Sequence, residues 1–267
     1  MNNQLTSSQI SSYRENGFLI IEEFLSEIEL DNWRRTINEA VTLRENKKLP
    51  DGSYSSIMKS LKTEEEVVFQ QRINLWMDHE GVRALMLDNR LGKMAAELEG
   101  IEGIRIWHDQ ALIKMPWANP TTWHQDNTKW SFKSDHAITI WIALDEITIQ
   151  NGCMFFLPGS QQKRLDDYPA AGNHVGAMFA AYPELGQMEP VPVVMPAGGC
   201  SFHNGLMVHA ANANMTPYPR RAFTCAYMPN YSRFNGIPNV LPERILNNIQ
   251  IGDILEDEDQ NPLIYTT

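Results

Sequence analysis

Cysteine is scarce in this chain: only Cys153, Cys200 and Cys225 among 267 residues, with no CxxC pair. That excludes a disulfide framework and a zinc knuckle, and leaves three small apolar side chains for a core. Basic residues are also few, 22 Lys and Arg against 33 Asp and Glu, for a formal net charge of -11. A surface of that sign repels a phosphate backbone and an anionic leaflet, so nucleic acid and membrane are excluded as partners. No stretch approaches the roughly 18 apolar residues of a transmembrane helix. The first twenty residues lack the basic start and apolar run of a secretory signal, which makes the cytoplasm the expected location. Repeats and low-complexity tracts are absent. What is present is ordinary globular composition, 43% hydrophobic and 21% charged, read as one domain over residues 1–267. A chain this long builds a core without a metal staple, so a metal site found here has a functional purpose.

Residues 1–100 read as mostly helical. Three capping boxes, Thr6 with Gln9, Ser26 with Glu29 and Thr63 with Glu66, each open an apolar-periodic stretch. After Ser26 the stripe Leu30, Trp33, Ile37, Ala40, Val41 has a 3.6 period, predicting a helix that lies on a sheet and exposes Arg34, Arg35 and Glu39. A further helical stripe runs through Leu85, Leu91, Met94 and Leu98, and residues 46–60 read as a loop. From about residue 101 the period becomes two and β-branched and aromatic residues dominate, in Ile104–Trp107, Ala111–Ile113, Ala137–Leu144, Phe155–Leu157, Val191–Met195 and Arg221–Met228. Short strands separated by turn signals suit a sandwich or barrel. The connection 161–190, rich in Gly, Pro and Ala, reads as a lid-like loop, and 231–267 as a C-terminal tail with a solvated acidic run at Glu256–Asp259.

The chemistry concentrates in Trp123-His124-Gln125-Asp126. Residues i and i+2 of a strand project to one side, so His124 and Asp126 can share an ion. With a second imidazole they form the 2-His-1-carboxylate triad of non-haem Fe(II) oxygenases, which leaves positions open for a chelating 2-oxo acid and O2. His209, about eighty residues on, is the candidate third ligand, and Arg220 follows it by eleven positions across the turn Asn214-Met215-Thr216-Pro217. A planar, permanently charged fork there suits the distal carboxylate of 2-oxoglutarate. Gln110 shares a strand face with Lys114 and is a further candidate for the bound acid. His203, which lies 17 positions before Arg220, could compete with His209 as the ligand. His108 and Asp109, being adjacent, face opposite ways and cannot clamp one ion. His79 is placed at a helix end, and His136 and His174 have no assigned role.

These motifs resemble the phytanoyl-CoA dioxygenase family of Fe(II)/2-oxoglutarate oxygenases, and the resemblance covers most of the chain. The opening Leu5-Thr6 through Tyr13-Arg14-Glu15-Asn16-Gly17-Phe18 to Phe24-Leu25-Ser26 is similar to the family's N-terminal signature, as is Gln150-Asn151-Gly152 through Leu157-Pro158-Gly159-Ser160 to the strand and turn after its HxD. The resemblance implies a mainly β fold with flanking helices, a double-stranded β-helix (jelly roll) packed by N-terminal helices. It implies His124, Asp126 and His209 as iron ligands, Arg220 as co-substrate anchor, and Thr139 and Trp141 as further co-substrate contacts. Some members carry a serine two residues after the distal histidine where this chain has Ala211, so Thr139 or Arg220 must cover for it.

The implied function is Fe(II)- and 2-oxoglutarate-dependent dioxygenation of a small molecule, hydroxylation by default, in a monomer or homodimer and in secondary metabolism. Cyclisation, desaturation or epimerisation would use the same site. Asp126 argues against halogenation, which requires a small residue in its place. Trp107, Trp117, Trp123 and Trp130 fit an aromatic-lined pocket or plain core packing. The alternatives are a non-catalytic jelly-roll protein that binds metal and 2-oxoglutarate, and a cupin-type metallohydrolase or isomerase, which would leave Arg220 without a task.

Overall fold

The computed structural model describes residues 1–44, 69–165 and 174–267. The expected Thr63 capping box and the loop 46–60 lie outside the described residues. Helix α1 (Ser7–Asn16) opens on Thr6, whose side chain accepts from Gln9 N while Gln9 reaches back to the Thr6 backbone. It closes on Gly17, at φ +81°, where a Cβ would lie 2.4 Å from Gln161 Oε1 and 2.5 Å from Met207 Cε. Both the left-handed turn and the close approach therefore require glycine.

Strand β1 (Phe18–Ile21) leads to α2 (Glu27–Arg44), which is boxed by Ser26 and Glu29 and buries Leu30, Trp33, Ile37 and Ala40. Trp33 meets Phe223 edge-on with ring centroids 6.3 Å apart, which seats the helix on the sheet. Arg34, expected in solvent, is half-buried because its Nε donates to the Leu144 carbonyl at 2.7 Å. After β2 (Phe69–Ile73), the single stripe read over 80–98 divides into α3 (Glu80–Met86), capped by His79, and α4 (Asn89–Glu99), capped by Asp88. Each break coincides with a side chain that satisfies a new set of orphan N–H groups.

The remaining strands are β3 (Gly103–Lys114), β4 (Thr121–His124), β5 (Ile138–Ala143), β6 (Met154–Phe156), β7 (Val191–Val193), β8 (Cys200–Asn204), β9 (His209–Ala211), β10 (Arg220–Pro229) and β11 (Leu263–Thr266), with short helices α5 (Ala177–Ala181) and α6 (Glu243–Leu246) between them. They form two antiparallel sheets, the jelly roll expected. The larger has the order β1-β8-β5-β10-β3-β11 with β2 also on β3, and the smaller the order β4-β9-β6-β7. Its sheet strands are not confined to 101–230, since β1, β2 and β11 come from the regions read as helical part and tail. The tail is anchored by a buried Ile264 and by Arg105, which donates to Glu258 at 2.7 Å, so the acidic run is tied down in part.

Alternation on the central strands sorts the two faces. Ile138, Ile140 and Ile142 of β5 and Phe223, Cys225 and Tyr227 of β10 pack against the helices. Trp141, Ala143 and Ala222 face the smaller sheet, with Met154, Phe156 and Val193 opposite. Because both faces of β5 are covered, all six of its residues are buried. All three cysteines are free and buried. The described part of 161–190 carries α5 and buries Leu165, Met178 and Leu185 against Leu157 and Val208, which gives the lid-like loop a small core of its own. Among the described residues no helix is long and apolar enough to cross a membrane.

Candidate active site

The HxD segment lies at the end of β4, and that strand pairs with β9 so that His124 stands directly opposite His209. Their ring centroids are 4.1 Å apart. Asp126 opens the short turn that follows β4, and its Oδ1 sits 3.5 Å from His124 Nε2 and 3.9 Å from His209 Nε2. One ligand atom from each of the three lies within 4.8 Å of the others. Both imidazoles are oriented from behind: His124 Nδ1 lies 2.8 Å from the Thr122 carbonyl and His209 Nδ1 3.0 Å from the Met207 carbonyl. That contact puts the proton on Nδ1 and turns an unprotonated Nε2 towards the common centre, as in metal sites with an organised outer shell.

The electrostatics agree. Burial, then the neighbouring His124, pushes His209 down to about 3, so it is neutral at physiological pH. Burial alone would raise Asp126, but His209, His124 and His203 together outweigh it and hold its carboxyl well below the ordinary range. A neutral imidazole and an ionised carboxylate are the protonation states a divalent cation requires. The donor set, two nitrogens and one oxygen on one side of a centre, fits iron(II) with open positions.

Gln125, the middle residue of the motif, is fully buried and fixes its two neighbours. Its Nε2 donates to the carbonyls of Lys163 at 2.7 Å and Leu206 at 2.6 Å, and its Oε1 accepts from Leu165 N at 3.1 Å. The sequence gives Gln125 no signal beyond its place between two candidate ligands.

Arg220 begins β10 on the inner face of the larger sheet, opposite Lys114 of β3, and both are buried. Its Nη2 donates to the Gly152 carbonyl at 2.8 Å, its guanidinium carbon lies 5.3 Å from the Trp141 ring centroid, and its Nε has no partner among the described residues. The adjacent Arg221 takes Asp145 at 2.6 Å instead. Burial lowers Arg220 to about 10, still a cation at neutral pH. Gly152, at φ +91°, is needed here, because a Cβ would lie 2.7 Å from Lys114 Cδ and 2.8 Å from the Asn212 carbonyl.

Thr139 shares the inner face of β5 with Trp141, is buried, and its Oγ1 is without a partner among the described residues. Gln110 is half-buried; its Oε1 accepts from Gln71 Nε2 at 3.3 Å, and Thr224 separates it from Trp141 in a row across β3, β10 and β5. His108 lies on the same side, with its Nδ1 3.4 Å from Gln110 Nε2, while Asp109 points the other way and accepts from Leu75 N and Trp76 N. His203 is also inside, beside Asp126. His79 caps α3, His136 contacts Glu99 at 3.2 Å and His174 is exposed. The four tryptophans do not form one lining. Trp107 and Trp130 pack on Phe132, Trp123 packs on Phe179 and Trp117 is exposed.

A family model for phytanoyl-CoA dioxygenase (PhyH) matches residues 13–222, a span that contains every residue of this cluster. The chain belongs to the phytanoyl-CoA dioxygenase family. The family sets the class of the protein, a dioxygenase oxidoreductase with iron and 2-oxoglutarate as its cofactors. Within the family, the chain is similar to methylphosphonate hydroxylase of Gimesia maris, at 28% identity over 235 residues, covering 85% of this chain and 82% of that protein. It is similar to human peroxisomal phytanoyl-CoA dioxygenase at 27% identity over 238 residues, covering 85% of this chain and 69% of that one. Among solved structures, the non-heme alpha ketoglutarate dependent carbocyclase SnoK from nogalamycin biosynthesis superposes with a TM-score of 0.78 at 28% identity, over 97% of this chain and 96% of that one.

Proposed function

We propose that the protein oxidises an unactivated C–H bond of a small organic molecule, with hydroxylation as the default outcome. The balanced reaction takes substrate, 2-oxoglutarate and O2 to hydroxylated product, succinate and CO2. One observation supports the site assignment: His124, Asp126 and His209 converge with both imidazole Nε2 atoms turned to Asp126, and the buried cation Arg220 lies at the start of β10 in the larger sheet.

His124 and His209 would hold the iron through Nε2 and Asp126 through Oδ1. The bound iron supplies the activation of O2, coupled to decarboxylation of the 2-oxo acid. Everything else is placement. Arg220 offers its fork to the distal carboxylate, with Trp141 beneath the guanidinium, and with Ala211 in place the anchor rests on Arg220. Thr139 pairs with Ala226 and His203, six positions along β10 from Arg220, so its Oγ1 is offered nearer the metal end. Gln110 is the further polar contact on the same inner face. Phe156, packed against His209 with ring centroids 6.1 Å apart, makes one side of the centre apolar, which would limit the approach of water there.

A natural-product intermediate in the cytoplasm is the substrate class we favour, supported by the similarity to SnoK; ring closure, the activity in SnoK's name, is compatible with the same residues. An acyl-CoA is disfavoured by the net charge of -11, which opposes binding of its phosphates.

The test is an anaerobic titration with Fe(II) and then 2-oxoglutarate, following the visible metal-to-ligand charge-transfer band, and succinate release once O2 is admitted. Wild type should show both. Asp126→Ala should lose the band and the turnover, and Arg220→Ala should keep iron but need roughly 30- to 150-fold more 2-oxoglutarate, the cost of about 2–3 kcal/mol for a charged hydrogen bond. Full turnover in Asp126→Ala would refute the metal assignment.

A further inference from the structure

We infer that His203 is a positioning residue that holds the outer oxygen of Asp126 and so tunes the metal site; it rests on the ligand set proposed above. His203 lies on β8, and the alternation that sends Cys200 and Phe202 to the helical core turns it to the inner face. It is 2% exposed, and among the described residues neither ring nitrogen has a hydrogen-bond partner. Two orphaned nitrogens on one buried ring are rare enough to require a reason.

The reason lies in how Asp126 divides its two oxygens. Oδ1 is the oxygen set against the Nε2 atoms of both His124 and His209, whereas Oδ2 is the one set against His203 Nε2, at 3.6 Å, and among the described residues His203 is outside the group whose ligand atoms converge. His203 therefore does not look into the centre that the other three share, and the geometry does not make it a fourth ligand. Closing that contact by less than 1 Å gives an N–H to carboxylate hydrogen bond. Such a bond would fix the rotation of the carboxylate and keep it monodentate, as backbone carbonyls fix the two ligand imidazoles.

The ring is itself held. Its centroid lies 5.2 Å from that of Phe156 on the smaller sheet and 5.0 Å from that of His209, and its strand neighbour in register is Thr139. His203 is thus an inner-face residue of the larger sheet that meets the ligand set on the smaller one, and the position of Asp126 is referred to both sheets.

The experiment is anaerobic titration of the apo-protein with Fe(II), and with Co(II) for its visible bands, in wild type, His203→Phe, His203→Leu and His203→Gln. Loss of the donor in the Phe and Leu variants should raise the metal dissociation constant about 10- to 100-fold and shift the Co(II) bands. Gln, which still offers an N–H, should stay within about threefold. The apo-protein's thermal midpoint should not fall in the Phe or Leu variant, because each removes two unsatisfied buried nitrogens. A merely structural histidine would give the reverse: a lower apo midpoint with unchanged affinity and bands. Should the Phe variant be insoluble, Leu decides. Metal affinity within twofold of wild type in the loss variants overturns the role of His203. A wild type that takes up no metal overturns the ligand set, and this inference with it.

Discussion

Lys114 illustrates what the site costs at the scale of one residue. The residue is 1% exposed and pairs in register with Arg220, and its ammonium donates to the Asn212 carbonyl. Burial, and then the Arg220 charge, pushes it down to about 7. A lysine whose folded pKa is depressed is penalised wherever the folded state must carry the charge. The penalty is absent above the unfolded value of about 10.4 and complete below about 7, so stability is lost as pH falls through that window. Lys114→Met keeps the aliphatic stem and removes the charge. It should stabilise the apo-protein by about 1–2 kcal/mol at pH 6.5 and by much less at pH 9.5, measured as the difference in thermal midpoint from wild type. A difference that is the same at both pH values would show that Lys114 is not charged at a cost.

At the scale of elements, the residue that joins the site to its frame is Gln125. Hydrogen bonds to Lys163, Leu165 and Leu206 tie the end of β4 to residues 163–165 and to the chain three residues before His209. Replacing it with Met would leave two carbonyls and one N–H buried without partners. We predict a loss of about 2–4 kcal/mol, a fall of roughly 5–12 °C in the apo thermal midpoint, together with weaker iron binding. A midpoint within 2 °C of wild type would mean that the network does not hold the strand end.

The same scale separates what the sequence discloses from what it hides. His124, Asp126 and Arg220 are legible because two-residue alternation and a turn signal are local. The central strands are legible because β5 and β10 are long apolar runs. His203 is not legible as a neighbour of Asp126, because that contact depends on the register of β8 with β5 and on the approach of the smaller sheet. Strand β11 is hidden for a similar reason. Its four residues follow an acidic run and become a strand only because β3 offers an edge and Gly92 of α4 leaves room for Ile264, the Cγ2 of which would be 2.7 Å from a Cβ there. Gln110, Thr139 and Trp141 share an inner face that alternation does predict, yet their distances to a bound acid are not encoded in any local pattern.

At the scale of the whole molecule, the two sheets make unequal contributions. The cluster of His124, Asp126 and His209 sits on β4, β9 and the turn after β4, all on the smaller sheet, whereas Arg220, Trp141 and Thr139 stand on β10 and β5 of the larger. A 2-oxoglutarate that chelates the metal at one end and meets Arg220 at the other would cross-link the sandwich, so binding and folding must be linked. Iron(II) alone, held by one sheet, should raise the thermal midpoint by the amount its affinity dictates. At a hundredfold above its dissociation constant that is about 2.7 kcal/mol, or roughly 5–10 °C. 2-Oxoglutarate should add a second increment of similar size only when iron is present, since half of its attachment is the metal. In Arg220→Ala the first increment should survive and the second should largely vanish at the same concentration. Anaerobic melts with each ligand alone and with both would decide this. Equal increments from 2-oxoglutarate with and without iron would show that the acid is held by the larger sheet alone, and that it does not bridge the two.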